Sequence, residues 1–303
     1  MASLPTFDAA ALGPGVALAS GASARIWLAK AAFAGRGALW AIKEPHPHLL
    51  AERRFRAAWR GEVRLSVEAR HPRLVAACAY DPARAALALS YVEGVSLAAM
   101  LDLGRARGEA LPAGVVVRVL LDVLAGLEAL HGGHVLGRAL VHGDLGPRNV
   151  LVDVEGRASL CDLGAAGPPA GRGAFRGSVA YASPEALARG ERTSALDVYG
   201  VGVLAWEALR GERLFRRATE AATLARAAEG GAPPLDAGRP ELAVLAPWVA
   251  AALQIEAGDR PSVEQARATL ERTHPAWHRA RAGAMVRSWA AGEFARRRGL
   301  GAP

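Results

Sequence analysis

Two lysines stand in this 303-residue chain, Lys30 and Lys43, against 35 arginines. The bland cause is a codon bias toward GC-rich DNA. A lysine that persists in such a chain marks a place where a compact ammonium is wanted rather than a planar guanidinium. Lys43 ends the run Ala41-Ile42-Lys43, and Glu62 follows nineteen residues later inside a helical pattern. A lysine held by a helical glutamate can point its ammonium at phosphate oxygens. Taken alone the pair is weak, since any Lys and Glu can be surface groups. A second segment is denser in chemistry. His142-Gly143-Asp144 is followed five residues later by Asn149, then by a short hairpin, then by Asp162-Leu163-Gly164. Two carboxylates and an amide at such spacing suit oxygen-ligand and proton-transfer work; three polar residues in turns are the ordinary alternative.

The elements around these residues divide into two kinds. The runs Leu12–Leu18, Ala24–Ala32 and Ala38–Lys43 read as strands, the last two joined by a turn around Gly35-Arg36-Gly37. Residues 49–70 read as a helix, with Phe55, Trp59, Val63 and Val67 at four-residue intervals. Leu74–Tyr80 and Ala85–Tyr91 flank Asp81-Pro82-Ala83-Arg84, a hairpin turn. Helical patterns then cover Leu97–Leu103 and Val115–Leu130, two short strands (Val150–Val152 and Ala158–Cys161) bracket Glu155-Gly156, and the chain is mostly helical from Ser183. The expectation is an α+β protein with a small β-rich lobe carrying one helix, a connector near residues 91–96, and a larger helical lobe.

Segment 141–164 resembles the catalytic loop and metal-binding Asp-Phe-Gly motif of protein kinases. His142-Gly143-Asp144-Leu145 also resembles small-molecule phosphotransferases of the aminoglycoside and choline type. The later motifs favour the former. Gly177–Glu185 resembles the end of a kinase activation segment, with Ser-Pro-Glu for Ala-Pro-Glu. Asp197–Val203 resembles that fold's buried central helix, and Asp259-Arg260-Pro261 matches the arginine that pairs with the motif's glutamate, here Glu185. The resemblance covers about residues 15–270 and implies a bilobal protein-kinase fold: segment 1–14, small lobe 15–90, large lobe 91–270 and a basic tail 271–303.

It also implies Mg-ATP (or Mn-ATP) as cofactor, Asp144 as catalytic base, and Lys43 and Glu62 as the phosphate-binding pair. Asn149 and Asp162 become the metal ligands, and Leu18, Gly21, Ile26, Ala41, Leu89, Tyr91, Leu151 and Asp162 surround the nucleotide. Departures are specific. Of three glycines expected in the loop at 19–26 only Gly21 is present. Gly143 replaces the arginine that senses loop phosphate, and Ala165–Phe175 holds no Ser, Thr or Tyr, so such switching is not expected. Gly146 stands where Ser/Thr kinases place a lysine beside the transferred phosphate, while Arg148 is where receptor-type tyrosine kinases carry a compensating arginine. Ser178 keeps the hydroxyl of the Ser/Thr type. Ser66 sits where an apolar side chain is expected and should loosen the small-lobe helix.

Composition bounds the rest. A chain that is 51% hydrophobic is no disordered tail, and two cysteines make no disulfide framework. Of the net +8, +5 falls in residues 271–303, so the body gives no nucleic-acid signal. The tail reads as a solvated helical end or as a contact for a regulatory partner. No leader or membrane span is read, and the expectation is a soluble, cytoplasmic protein with free thiols. Cys161 reads as a small buried thiol rather than a reactive one; Trp59 and Trp206 read as packing residues. The leading function is a protein kinase acting on Ser/Thr hydroxyls of a protein substrate. The alternative is an ATP-binding regulatory pseudokinase.

Overall fold

The computed structural model describes residues 5–12, 15–33, 36–172, 175, 177–235, 239–273, 279–291 and 294. Five antiparallel strands form the first sheet: β1 (Val16–Ser20), β2 (Ala24–Phe33), β3 (Arg36–Pro45), β4 (Ala77–Asp81) and β5 (Ala86–Ser90), in the order β1-β2-β3-β5-β4. The β2–β3 pairing runs from Ala24↔Pro45 to Phe33↔Arg36, and residue 35 of the expected turn lies outside the described residues. Because side chains alternate along a strand, the register sorts them onto two faces. Ile26, Lys43 and Leu87 pair across one face, as do Leu28, Ala41 and Leu89. The opposite face buries Ala29, Ile42, Ala79 and Ala88 beneath Trp27 and Trp40. The N-terminal segment caps this sheet: Thr6 bridges Tyr80 in parallel, and the Ala9 N–H donates to Asp81 Oδ2 at 2.9 Å.

One helix, α1 (Arg53–Glu68), accompanies the sheet. It buries Trp59, Glu62, Leu65 and Ser66, rather than the expected series at four-residue intervals. Steps of four drift around a helix of 3.6 residues per turn, whereas steps of three and four together hold one face. The expected loosening at Ser66 is not what the structure shows. The helix runs unbroken past it, and its neighbours Leu65 and Ala69 still enter the core.

The remainder is helical: α2 (Leu97–Arg107), α3 (Ala113–His131), α4 (Pro184–Arg189), α5 (Ser194–Arg210), α6 (Glu220–Glu229), α7 (Ala246–Ala252), α8 (Val263–Thr273) and α9 (Arg279–Trp289). Together with the sheet this makes a bilobal α+β architecture. Every residue of α5 from Leu196 to Leu209 is buried, so the large core is built around it. The connector expected near 91–96 contains a strand, β6 (Gly94–Ser96), which pairs with β7 (Val150–Asp153); β7 in turn pairs with β8 (Ala158–Leu160). A further two-residue pair, β9 (Gly171–Arg172) with β10 (Glu191–Arg192), ties the loop after Gly164 to the chain beyond α4. Strands this short leave no periodicity for a sequence reading to detect.

The described part of the basic tail, residues 279–291 and 294, is not simply solvated. Helix α9 buries Ala282 and Val286 and packs against α2, α3 and β6–β7; Ala290 and Phe294 beyond it are buried in the same core. Gly283 permits this approach, since a Cβ there would lie 2.5 Å from the Val154 carbonyl oxygen. Arg287 Nη1 donates to the same carbonyl, and the Arg107 guanidinium lies 4.8 Å from the Trp289 ring centroid. Among the described residues no helix is long and apolar enough to cross a membrane. Both cysteines are free thiols.

Charged groups brace the helical part. Arg260 meets Glu185 in a bidentate pair at 2.7 and 2.8 Å, and Ser183 Oγ donates to the same carboxylate at 2.7 Å. Burial opposes the charge on Glu185, but these donors outweigh it and hold its pKa below the usual range. A carboxylate depressed on folding adds stability above its unfolded pKa of roughly 4.3, and loses it as pH falls through the folded value. Thermal melts from pH 7 to 3 should therefore show an acid loss that is shallower in Glu185→Gln, from a lower starting stability. An identical acid slope in both proteins would show that the pair is not its source.

Candidate active site

The site begins at the end of β3. Lys43 is 5% exposed on the inner face of the sheet, and its Nζ donates to Glu62 Oε1 at 2.5 Å and lies 3.1 Å from Asp162 Oδ1. Helix α1 supplies Glu62, and the short segment after β8 supplies Asp162. The lysine therefore bridges three elements distant in sequence. Burial works against its charge, but the two carboxylates outweigh burial and raise its pKa above the ordinary value. Burial raises the Glu62 pKa, with Lys43 pulling against it. For Asp162 burial is again the largest influence, yet the Lys43 charge and hydrogen bond win and hold the carboxyl below its usual range. The cluster is an ammonium held between a buried carboxyl group, Glu62, and one partly open to solvent, Asp162.

Asp162 adopts φ 65°, the left-handed region that non-glycine residues enter at a cost. The Gly164 N–H donates to its Oδ1 at 3.1 Å, and among the described residues Oδ2 has no hydrogen bond.

Asp144 forms the second cluster. Its Oδ1 accepts from the Ser178 N–H at 2.8 Å and its Oδ2 from Asn149 Nδ2 at 3.2 Å, while Nδ2 also reaches the Asp144 carbonyl at 2.8 Å. Each carboxylate oxygen keeps a further lone pair. Asn149, with its amide nitrogen committed, keeps Oδ1 unbonded among the described residues. The two clusters are joined through Cys161: its N–H donates to the Asn149 carbonyl at 3.0 Å, and its carbonyl lies 3.3 Å from His142 Nε2. A carbonyl partner requires that nitrogen to carry the proton, leaving Nδ1 as acceptor for the Asp144 N–H at 3.4 Å.

What holds the 142–144 turn is a residue to which sequence reading assigned no role. Asp197, fully buried in the first turn of α5, accepts from the N–H groups of His142 at 2.7 Å and Gly143 at 3.0 Å, and from His131 Nε2 at 2.8 Å. An acid inside an otherwise apolar run was the available signal, since a buried carboxylate needs several donors. Gly143 stands at φ +79°, where a Cβ would lie 2.9 Å from the Ala165 carbonyl oxygen. Glycine meets both conditions without strain.

The remaining candidates belong to the sheet, to residue 91 and to β7. Leu18, Ile26, Ala41, Leu89, Tyr91 and Leu151 are each half-buried, and Ala41 pairs with Leu89 across the inner face. Gly21 is exposed in the loop between β1 and β2. Trp59 and Trp206 are buried and donate to the Ala85 and Pro233 carbonyls, which fits packing. Burial, then the Asp162 charge, pushes the Cys161 thiol up to about 12, so it stays protonated at neutral pH.

Among the described residues no three His, Cys, Asp or Glu side chains converge to hold a metal alone. Asn149 and Asp162 offer oxygens only, the donor type for magnesium, which takes one or two protein ligands and completes its shell from phosphate and water.

Comparison with known proteins places this geometry in context. The family described as Protein kinase domain matches residues 16–247. The Tyrosine-protein kinase MasK of Myxococcus xanthus is 30% identical over 244 residues, covering 74% of this chain and 36% of that protein. The Serine/threonine-protein kinase PknL of Mycobacterium tuberculosis is 37% identical over 134 residues, covering 43% and 31% respectively. A serine/threonine-protein kinase of Corynebacterium efficiens, drp72, is 34% identical over 188 residues, covering 58% and 34%. The chain thus spans about a third of the length of these relatives.

Proposed function

The chain belongs to the protein kinase domain family, and from that premise we propose that it transfers the γ-phosphate of Mg-ATP to Ser/Thr hydroxyls of a protein. The observation that carries this reading is the Lys43 ammonium held between Glu62 and Asp162. Bound Mg-ATP would supply the phosphoryl group and the divalent charge that offsets its oxygens. Lys43 would hold phosphate, kept in place by Glu62. Asn149 Oδ1 and the open oxygen of Asp162 would face the metal. Asp144, oriented by Ser178 and Asn149, would accept the acceptor hydroxyl's proton. Ser178 and the names of the Mycobacterium and Corynebacterium relatives support a Ser/Thr acceptor.

The reading includes independence from loop phosphorylation. Ala165–Phe175 offers no hydroxyl, and backbone bonds perform the tethering: Val141 and Gly167 exchange N–H···O bonds at 2.8 and 3.0 Å, and the Ala170 N–H donates to the Arg192 carbonyl at 2.8 Å. A regulatory partner reaching the tail would meet the outward side of α9, because the inner side is buried.

The test is incubation with labelled ATP, magnesium or manganese, and a generic protein substrate, alongside Lys43→Met and Asp144→Asn. Transfer by the wild type above both variants is expected. Transfer no greater than that of Asp144→Asn would refute catalysis.

One observation favours a second reading, an ATP-binding module of little activity: Gly146 places no charge beside Asp144. It would show nucleotide-dependent thermal stabilisation without turnover. The site has room for the missing group. Gly146 is extended (φ −146°, ψ 167°), and a Cβ there would make ordinary contacts with Tyr181 at 3.5 Å and Ser178 at 3.9 Å. Gly146→Lys should therefore fold and raise kcat by roughly tenfold or more, as a charge aimed at the transferring group does. Steady-state kinetics checks this; an unchanged kcat would show that the absent ammonium does not limit transfer.

A further inference from the structure

We propose that His46 is a positioning residue for the nucleotide phosphates, holding the β1–β2 loop in the role that extra glycines would otherwise share; the proposal rests on the ATP-binding reading above. The loop is three exposed residues, Gly21-Ala22-Ser23, between β1 and β2. Its geometry does not depend on glycine. Gly21 lies outside the left-handed region, and a Cβ there would find its nearest neighbour, the Ala24 carbonyl oxygen, at 3.8 Å. Bonds hold it instead. The Gly21 N–H donates to the Ala24 carbonyl at 2.9 Å, closing the turn internally.

His46 grips the loop at both ends. Its Nε2 lies 2.9 Å from the Gly21 carbonyl oxygen, and its backbone N–H donates to the Ser23 carbonyl at 3.0 Å. A carbonyl accepts only, so Nε2 carries the proton. The ring stacks on His48, with centroids 5.8 Å apart and planes 12° off parallel, which fixes its orientation. The residue stands three positions beyond Lys43 on the same run of chain. Loop and phosphate-binding lysine thus share one anchor. With Gly21 spoken for, the consecutive N–H groups of Ala22 and Ser23 donate to nothing among the described residues. Such pairs of free backbone donors bind anions. By fixing the carbonyls on either side, His46 presents those two donors to phosphate in advance of binding.

The test compares wild type, His46→Ala and His46→Gln for binding of ATP, ADP and adenosine by titration calorimetry, with nucleotide-free melting temperatures. Glutamine can place an amide N–H near the position of Nε2. The expected result is that His46→Ala weakens ATP and ADP by about three- to tenfold, the value of one net hydrogen bond. Adenosine affinity and the nucleotide-free melting temperature should stay as in the wild type, and His46→Gln should recover most of the loss. In turnover His46→Ala should raise KM for ATP and leave kcat near its original value. Equal weakening of adenosine and ATP would make His46 a structural residue only, and unchanged ATP affinity in His46→Ala would refute the proposal outright. A wild type that binds none of the three ligands would instead overturn the nucleotide-binding reading, and this proposal with it.

Discussion

Asp144→Asn should lower phosphate transfer by roughly 10²- to 10⁴-fold, the range for loss of a positioned general base, with little change in melting temperature or ATP affinity. The substitution is isosteric. An asparagine oxygen still accepts from the Ser178 N–H that now bonds Oδ1 at 2.8 Å, so the turn keeps its principal bond. What disappears is the charge and the basicity. Lys43→Met is the contrasting variant: it removes the ammonium between Glu62 and Asp162, and ATP binding should fall together with transfer. Single-turnover rates and separate nucleotide titrations distinguish the two. Transfer by Asp144→Asn within tenfold of the wild type would take the proton-accepting role away from Asp144.

Arg260→Leu should cost about 3–5 kcal/mol of stability, because it leaves the Glu185 carboxylate buried without its counter-charge. Glu185 and Arg260 are 4% and 7% exposed. The guanidinium also donates to the carbonyls of Gln254, Ala195 and Ile255 at 2.8–3.1 Å; the Ala195 carbonyl lies within α5 and keeps its helix bond, but those of Gln254 and Ile255 lose this donor. The double variant Glu185→Leu/Arg260→Leu should recover only part of the loss: the stranded charge is gone, the carbonyls remain. Denaturant unfolding measures both. A cost below about 1 kcal/mol for Arg260→Leu would place the pair among weak surface-type ion pairs. Domains of this kind have only about 5–15 kcal/mol in total, so the variant should also be hard to express.

Much of the candidate site was legible in the sequence. Lys43 stood out as one of two lysines in an arginine-rich chain, and Asp144, Asn149 and Asp162 through the resemblance of segment 141–164 to protein-kinase motifs. The strands and helices around them carried periodicity long enough to read. The elements that escaped were of another sort. Strands β6, β9 and β10 have two or three residues each, too few for an alternation, and they exist because a partner strand supplies their hydrogen bonds. The buried side of α1 was not legible from the apolar spacing, because residues at four-residue intervals drift off a single face. The packing of the tail's described part escaped because the charge around it is conspicuous in sequence, while the residues it buries, Ala282, Val286 and Ala290, are unremarkable.

The sequence by itself determined which residue types are present for the chemistry and in what order, since charge, amide and hydroxyl groups are properties of the residues alone. Only the tertiary structure decided which of them meet. Lys43 reaches Asp162 across 119 positions, and Asp197 ties down a turn more than fifty residues before it. The grip of His46 on the loop at 21–23 is equally non-local. Such pairings come from strand register and from the packing of α5 beneath the 142–144 turn, which a linear pattern does not encode. Burial completes the site, because a lysine shielded from water keeps its charge only where the fold has brought carboxylates to it.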